Sequence, residues 1–224
     1  MYQRQRQNVW LFDLDDTLHH AGAWLFPQMN VAITRYIQQV LQLPYEQSDA
    51  LRVNYWRRYG STVIGLMRHH QIAPAHFLHQ THQFLDLEDH VHGHRHDLVS
   101  LQKLPGRRVL LTNAPKTYVH RVLSVLGLAG FFSGIYALED MKMFGHWRPK
   151  PDARMLRSLA VRLRVSPQQC ILVEDTLSHQ KAARRVGMTT VWMQRWQAKD
   201  EPRRHRKPSY VDIRIRRLRE LLRS

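Results

Sequence analysis

With 224 residues, a formal charge of +16 and one cysteine, the chain has the length of one α/β core carrying an insertion rather than of two independent domains. An internal disulfide is excluded, and no apolar run approaches the roughly 20 residues of a membrane span. The start from Met1 to Gln7 is polar and arginine-bearing with no apolar signal core behind it, so a cytoplasmic protein is expected.

Val9 to Phe12 is a short apolar run ending in carboxylates, as expected of a buried parallel strand that delivers polar groups at its C-terminal end. From about Leu25 to Leu101 the chain is too long for a loop and carries helical periodicity at Met29, Ile33, Ile37 and Val40, which predicts a helical cap. Val109 to Leu111 followed by Thr112-Asn113 repeats the strand pattern. Helical spacing then runs through Val119, Val122, Leu123 and Leu126 to a stop at Gly127, and again from Met155 to Leu163 behind Pro151-Asp152. Ile171 to Val173 ends in Glu174-Asp175, and its neighbour Cys170 reads as a buried structural thiol. A helix from Ser178 to Val186 stops at Gly187, before a strand from Thr189 to Met193. Arg195 to Ser209 reads as a flexible basic connection, Tyr210 to Ile213 as a last strand and Arg214 to Leu222 as a terminal helix. This alternation implies a parallel sheet flanked by helices, with ligands bound outside the carboxyl ends of its strands. The expected division is a core of residues 1–24 and 102–224, with the basic connection at 196–209 inside it, and a cap of residues 25–101.

The charge would suit nucleic acid, an acidic membrane surface or small anions, and reads first as a solvated basic surface; neither membrane nor nucleic acid is the expected partner. The chemistry gathers at the strand ends. Asp13 and Asp15 are separated by one residue, so an extended backbone puts both carboxylates on one side, where one can bind metal and attack while the other handles protons. Thr112 and Asn113 offer a hydroxyl and backbone amides to phosphate oxygens. Lys150, between Pro149 and Pro151, presents a cation on a stiffened segment suited to neutralising a phosphoryl group. Glu174-Asp175 could complete an oxygen-ligand magnesium site with Asp13. In the cap, Tyr55, Trp56 and Tyr59 could stack on a base or simply form a packing stripe, and His76, His79 and His82 have helical spacing without a carboxylate or cysteine to fix a metal geometry; the cap histidines read as solvated or incidental.

The segments LFDLDDTL, LLTN, RPKPD and VEDTLSH, in that order, resemble the haloacid dehalogenase superfamily over residues 9 to 193. Within it the chain is similar to the pyrimidine 5'-nucleotidases through Arg58 to Thr62, Gly65-Leu66, Phe77-Leu78 and TNAPKTYVHRVLSVLGL. The resemblance implies a Rossmann-like core with an inserted α-helical cap and a magnesium-dependent phosphatase. Asp13 would be its nucleophile, forming an aspartyl-phosphate, and Asp15 its general acid and base. Thr112, the Asn113 backbone and Lys150 would grip the phosphoryl group. Magnesium would be held by Asp13, the Asp15 carbonyl and Asp175. The implied substrate is a small phosphate ester, a pyrimidine nucleoside monophosphate first and phosphoglycolate or a sugar phosphate second, with Tyr55, Tyr59, Ser61 and Thr62 as candidate specificity residues. A non-catalytic anion-binding member of the fold is the remaining alternative. One departure is His179, where related sequences tend to carry asparagine.

Overall fold

A computed structural model describes residues 8–196 and 206–223. In chain order its elements are β1 (Val9–Phe12), α1 (Leu25–Leu41), α2 (Tyr45–Tyr59), α3 (Thr62–His70), α4 (Pro74–Thr81), α5 (Leu87–His90), α6 (Arg95–Gln102), β2 (Arg107–Leu111), α7 (Lys116–Val125), β3 (Gly134–Tyr136), β4 (Lys142–Met143), β5 (His146–Trp147), α8 (Ala153–Arg162), β6 (Cys170–Glu174), α9 (Leu177–Val186), β7 (Thr189–Met193) and β8 (Ile213–Ile215). They fall into two compact units: one holds the chain up to His20 and from Val91 onward, the other Ala21–His90.

The first unit is organised by a six-stranded sheet in the order β3-β2-β1-β6-β7-β8, parallel throughout. Alternation along the strands sends Val9, Leu11, Val109, Leu111, Cys170 and Leu172 to one face, where they bury Met155, Leu156 and Leu159 of α8 and Ala182, Ala183 and Val186 of α9. Each fully buried leucine contributes about 1.5–3 kcal/mol relative to exposure. The helices start and stop where local chemistry dictates. Asp152 caps α8 by accepting the Arg154 N–H at 2.8 Å, and α9 ends on Gly187 at φ +96°, a left-handed conformation that costs glycine nothing. Burial pushes the Cys170 thiol up to about 11, which leaves it unreactive in the sheet.

The boundaries differ from expectation in four places, the first being that residues 21–24 fall in the second unit. Residues 91–101 belong to the first unit, because α6 packs on the closing 3-10 turn at Leu218–Arg223 and Asp97 pairs with Arg195. The last strand is Ile213–Ile215 rather than Tyr210–Ile213, since the Asp212 carboxylate accepts the Thr190 amide at 2.9 Å and the Tyr210 carbonyl accepts the Thr190 hydroxyl. The terminal segment is a 3-10 turn because its buried residues, Ile215, Leu218 and Leu221, recur every third position. Of the expected basic connection, residues 197–205 lie outside the described residues.

The chain leaves and re-enters the first unit side by side: His19 bridges Gly93 in antiparallel fashion, and the His20 amide donates to the His92 carbonyl at 3.2 Å. The second unit is helical, as the cap reading requires, with Ile33, Tyr36 and Ile37 of α1 and Phe77 and Leu78 of α4 buried in it. Tyr55 of α2 lies against α3 at Gly65, where a Cβ would come within 2.2 Å of the tyrosine ring.

Candidate active site

Every expected catalytic and phosphate-binding residue sits at a carboxyl end of the parallel sheet or in the segment leading to α8. Asp13 continues β1, its amide donating to the Val173 carbonyl at 3.0 Å. Thr112 continues β2 in the same way, donating to the Tyr136 carbonyl at 3.0 Å. Lys150 enters from the segment between β5 and α8, and its ammonium donates to Asp13 Oδ1 and Glu174 Oε2, both at 2.6 Å. All three groups are buried, Lys150 to 1% exposure. Lys150 therefore joins the carboxyl ends of β1 and β6.

The electrostatics of this cluster are uneven. Burial, then repulsion from Glu174, holds the Asp13 carboxyl well above the ordinary aspartate value, with Lys150 opposing the rise. Burial would raise Glu174 as well, but Lys150 and His179 override it and hold that carboxyl well below its ordinary value. Burial would lower Lys150, yet the two carboxylates keep it firmly protonated. Asp175 is raised by burial and by its acidic neighbours Glu174 and Asp13. Asp13, Glu174 and Asp175 thus bring three carboxylates, with oxygens within 4.8 Å of one another, against a single ammonium. The surplus negative charge suits a hard divalent cation. Glu174 is the least available ligand, because Oε2 faces Lys150 and the His179 ring at 3.0 Å while Oε1 accepts the Thr176 amide at 3.1 Å. Asp13 and Asp175 are left as the side chains best placed to hold such a cation. His179, the departure from the family pattern, stands beside the glutamate that holds the lysine.

Asn113 does more than its backbone suggests. Its side chain donates to the Lys150 carbonyl and accepts the Lys150 amide, each at 3.0 Å, so it pins the lysine segment from across the site. Thr112 is buried and accepts the Ala114 amide through its hydroxyl at 3.0 Å.

Asp15 has two partners that sequence reading does not single out. Tyr118, in the first turns of α7, donates its hydroxyl to Asp15 Oδ1 at 2.6 Å, and His19 Nε2 lies 2.9 Å from the same oxygen. Burial and the neighbouring Asp15 push the Tyr118 phenol well above its ordinary value, which keeps it a donor. Its sequence signal is its place in the TNAPKTYVHRVL stretch, with nothing to tell its target.

The candidate specificity residues lie in the helical unit and are largely engaged there. Tyr55 is buried with its hydroxyl 2.7 Å from His70 Nε2, which fits the packing stripe rather than base stacking. Tyr59 pairs with His69 at 2.6 Å, Thr62 donates to the Arg52 carbonyl at 3.2 Å, and Ser61 precedes α3 as its N-cap residue. Of the cap histidines, His69, His70 and His76 meet tyrosine hydroxyls, His79 meets Gln83 and His82 meets Thr81. Among the described residues, no helix is long and apolar enough to cross a membrane.

A family model described as haloacid dehalogenase-like hydrolase matches residues 8–187. Phosphate metabolism protein 8 of Saccharomyces cerevisiae is 25% identical over 195 residues, 81% of this chain and 60% of that protein. A fructose-1-phosphate phosphatase of Escherichia coli is 34% identical over 88 residues, covering 38% of this chain and 44% of the relative. The chain thus spans less than two thirds of the length of either. Among solved structures, a phosphatase from Thermococcus onnurineus superposes with a TM-score of 0.63 at 20% identity over 96% of each chain, a likeness of fold.

Proposed function

The chain belongs to the haloacid dehalogenase-like hydrolases, and on that premise we propose that it is a magnesium-dependent phosphomonoesterase working through an aspartyl-phosphate. The observation that carries this reading is the buried contact of Lys150 with both Asp13 and Glu174 at 2.6 Å, beside a second aspartate held separately by Tyr118. A protein that only bound anions would have no use for an aspartate oriented apart from the first.

In the proposed reaction a carboxylate oxygen of Asp13 attacks phosphorus in line with the ester oxygen. Lys150, Thr112 and the Asn113 backbone steady the phosphoryl oxygens, and Asp15 gives a proton to the departing alcohol. Asp15, now ionised, takes a proton from the water that cleaves the aspartyl-phosphate, restoring both carboxyl groups and releasing phosphate. Magnesium, held by Asp13, Asp175 and the Asp15 carbonyl, would offset negative charge on the phosphoryl group.

The finer reading is a pyrimidine nucleoside 5'-monophosphate phosphatase, supported by the resemblance through Arg58 to Leu66 and TNAPKTYVHRVL. A sugar phosphate is the second reading, favoured by the identity to a fructose-1-phosphate phosphatase. Phosphate release from the common ribonucleoside monophosphates, phosphoglycolate and sugar phosphates, each with magnesium and with chelator, tests both levels. Metal-dependent turnover that Asp13→Asn abolishes while circular dichroism is preserved is expected. Brisk sugar phosphate hydrolysis without nucleotide activity would overturn the nucleotidase reading, and wild-type rates in Asp13→Asn would overturn the nucleophile.

A further inference from the structure

Among the described residues, the two side-chain partners of Asp15 meet the same oxygen. Tyr118 donates to Oδ1 at 2.6 Å, His19 Nε2 lies 2.9 Å from Oδ1, and Nε2 also lies 3.1 Å from the Tyr118 oxygen. Tyr118 spends its only hydrogen on the carboxylate, so its oxygen can only accept from the histidine. The proton of His19 therefore belongs on Nε2, where it serves Asp15 and Tyr118 together. The opposite ring nitrogen, Nδ1, is buried without a partner.

The local fold builds this triangle deliberately. Asp16 takes a left-handed conformation at φ +53°, and the Leu18 amide then closes a turn onto the Leu14 carbonyl at 2.9 Å. That turn brings His19, four residues on, back beside Asp15. Tyr118 arrives from α7, at 1% exposure, across 103 residues of sequence. A buried tyrosine hydroxyl needs some partner, and a backbone carbonyl would satisfy it equally well. Here it is directed at a carboxyl group that must present one defined oxygen to chemistry.

We propose that Tyr118 and His19 are positioning residues that clamp Oδ1 of Asp15, so that Oδ2 is the oxygen that carries the proton to the leaving group. The inference rests on the phosphomonoesterase reading and deepens it. In the step concerned, an Asp13 oxygen forms its bond to phosphorus as the bond from phosphorus to the ester oxygen breaks. The electron pair of that bond stays on the ester oxygen, which takes the proton from Oδ2, and Asp15 is left ionised with Oδ1 still holding both donors. An unclamped carboxyl group rotates about its terminal torsion and presents its proton in many directions, and a misplacement of about 1 Å can cost on the order of 100-fold in rate. In this first step the clamp matters only where the leaving group needs a proton. In the second, where Asp15 takes a proton from water, it serves every ester alike, so the first step is read through kcat/KM.

That dependence gives the test. Tyr118→Phe removes the hydroxyl and keeps the buried ring; kcat and KM are measured with p-nitrophenyl phosphate, whose leaving group hardly needs protonation, and with an alkyl phosphate, whose leaving group does. The expected result is a kcat/KM loss of roughly 10- to 100-fold on the alkyl ester and at most a few-fold on the aryl ester. Equal losses of kcat/KM on the two esters, or none on the alkyl ester, would overturn the clamp. His19→Gln keeps a donor near the position of Nε2 and His19→Leu does not, so the same selective loss is expected in the leucine variant and rescue in the glutamine variant. This pair decides the matter if Tyr118→Phe does not fold, and equal behaviour of the two overturns the clamp. Asp15→Asn, run alongside, separates the layers: if it loses kcat/KM equally on both esters, or if the unmodified protein hydrolyses neither, the failure lies in the proton-transfer or phosphatase reading and takes the clamp with it.

Discussion

Replacing Lys150 by methionine keeps the length of the side chain and removes its charge. In the wild type the ammonium is 1% exposed and 2.6 Å from each of two buried carboxylates, so the variant leaves Asp13 and Glu174 facing each other without compensation. Breaking a buried ion pair from one side costs about 3–5 kcal/mol. At about 2–4 °C per kcal/mol for a chain of this size, the melting temperature should fall by roughly 6–20 °C. The pH dependence has a definite sign. Glu174 is held well below its ordinary value, so its contribution is present above the ordinary carboxylate range and is lost only as pH falls through its depressed native value. Lys150 is held above the ordinary lysine value, so its share persists throughout the neutral range and is lost only at strongly alkaline pH. Without the lysine both carboxyl groups shift upward and the folded variant takes up protons readily, so the gap to the wild type should be narrower at pH 5 than at pH 7.5. Activity should fall at least 100-fold, because Asp13 protonates more readily and the phosphoryl charge loses its partner. Differential scanning calorimetry in chelator at the two pH values, with a phosphate-release assay, checks each part. A variant as stable as the wild type, or a gap that widens on acidification, would refute the assignment of Lys150 as the counter-charge of this cluster.

Asn113→Ala removes both hydrogen bonds to the Lys150 backbone and should lower kcat about tenfold with a stability loss of about 1–3 kcal/mol; unchanged kcat in a folded variant would show that the lysine segment holds itself. Magnesium at 100-fold over its dissociation constant should stabilise by about 2.7 kcal/mol, raising the melting temperature by roughly 5–10 °C, and Asp175→Asn should erase most of that rise. An undiminished shift in that variant would remove Asp175 from the ligand set. Gly65→Ala would ordinarily strengthen a helix by about 1 kcal/mol, but its Cβ would fall 2.2 Å from the Tyr55 ring, so overpacking should win and the helical unit should lose about 1–3 kcal/mol, read by hydrogen exchange. Stabilisation at this position would mean that Tyr55 moves aside freely.

Much of the core was legible because its strands are short apolar runs that stop at chemistry: Phe12 abuts Asp13, Leu111 abuts Thr112, and Glu174 leads into Asp175. Helix limits followed where one residue sets them, as at Asp152 and Gly187. The strand β3 was not foreseen, since three half-buried residues beginning with glycine carry no alternation. Glu174 read as one half of an acidic pair with Asp175, yet its two oxygens serve Lys150, His179 and the Thr176 amide instead. That division of labour depends on which way each side chain turns at a strand end, which spacing does not encode. The Asp15 partners were hidden for a different reason. Tyr118 lies 103 residues away, and at helical spacing with Val122 it is indistinguishable from a core residue until the sheet is assembled.

The paired exit and return of the chain at His19-His20 and His92-Gly93 makes the helical unit a graft on the core. Because the two attachment points are bonded to each other, the core closes its own backbone there whatever lies between them. A longer insert adds little to the cost of closing that junction, about 0.6 kcal/mol for each doubling in length. A change of insert therefore leaves the backbone that carries Asp13, Asp15 and Lys150 to the first unit alone. The same property makes Ala21–His90 the natural cassette for transplant experiments, with a new insert spliced between His20 and Val91 and the chemistry left where it stands.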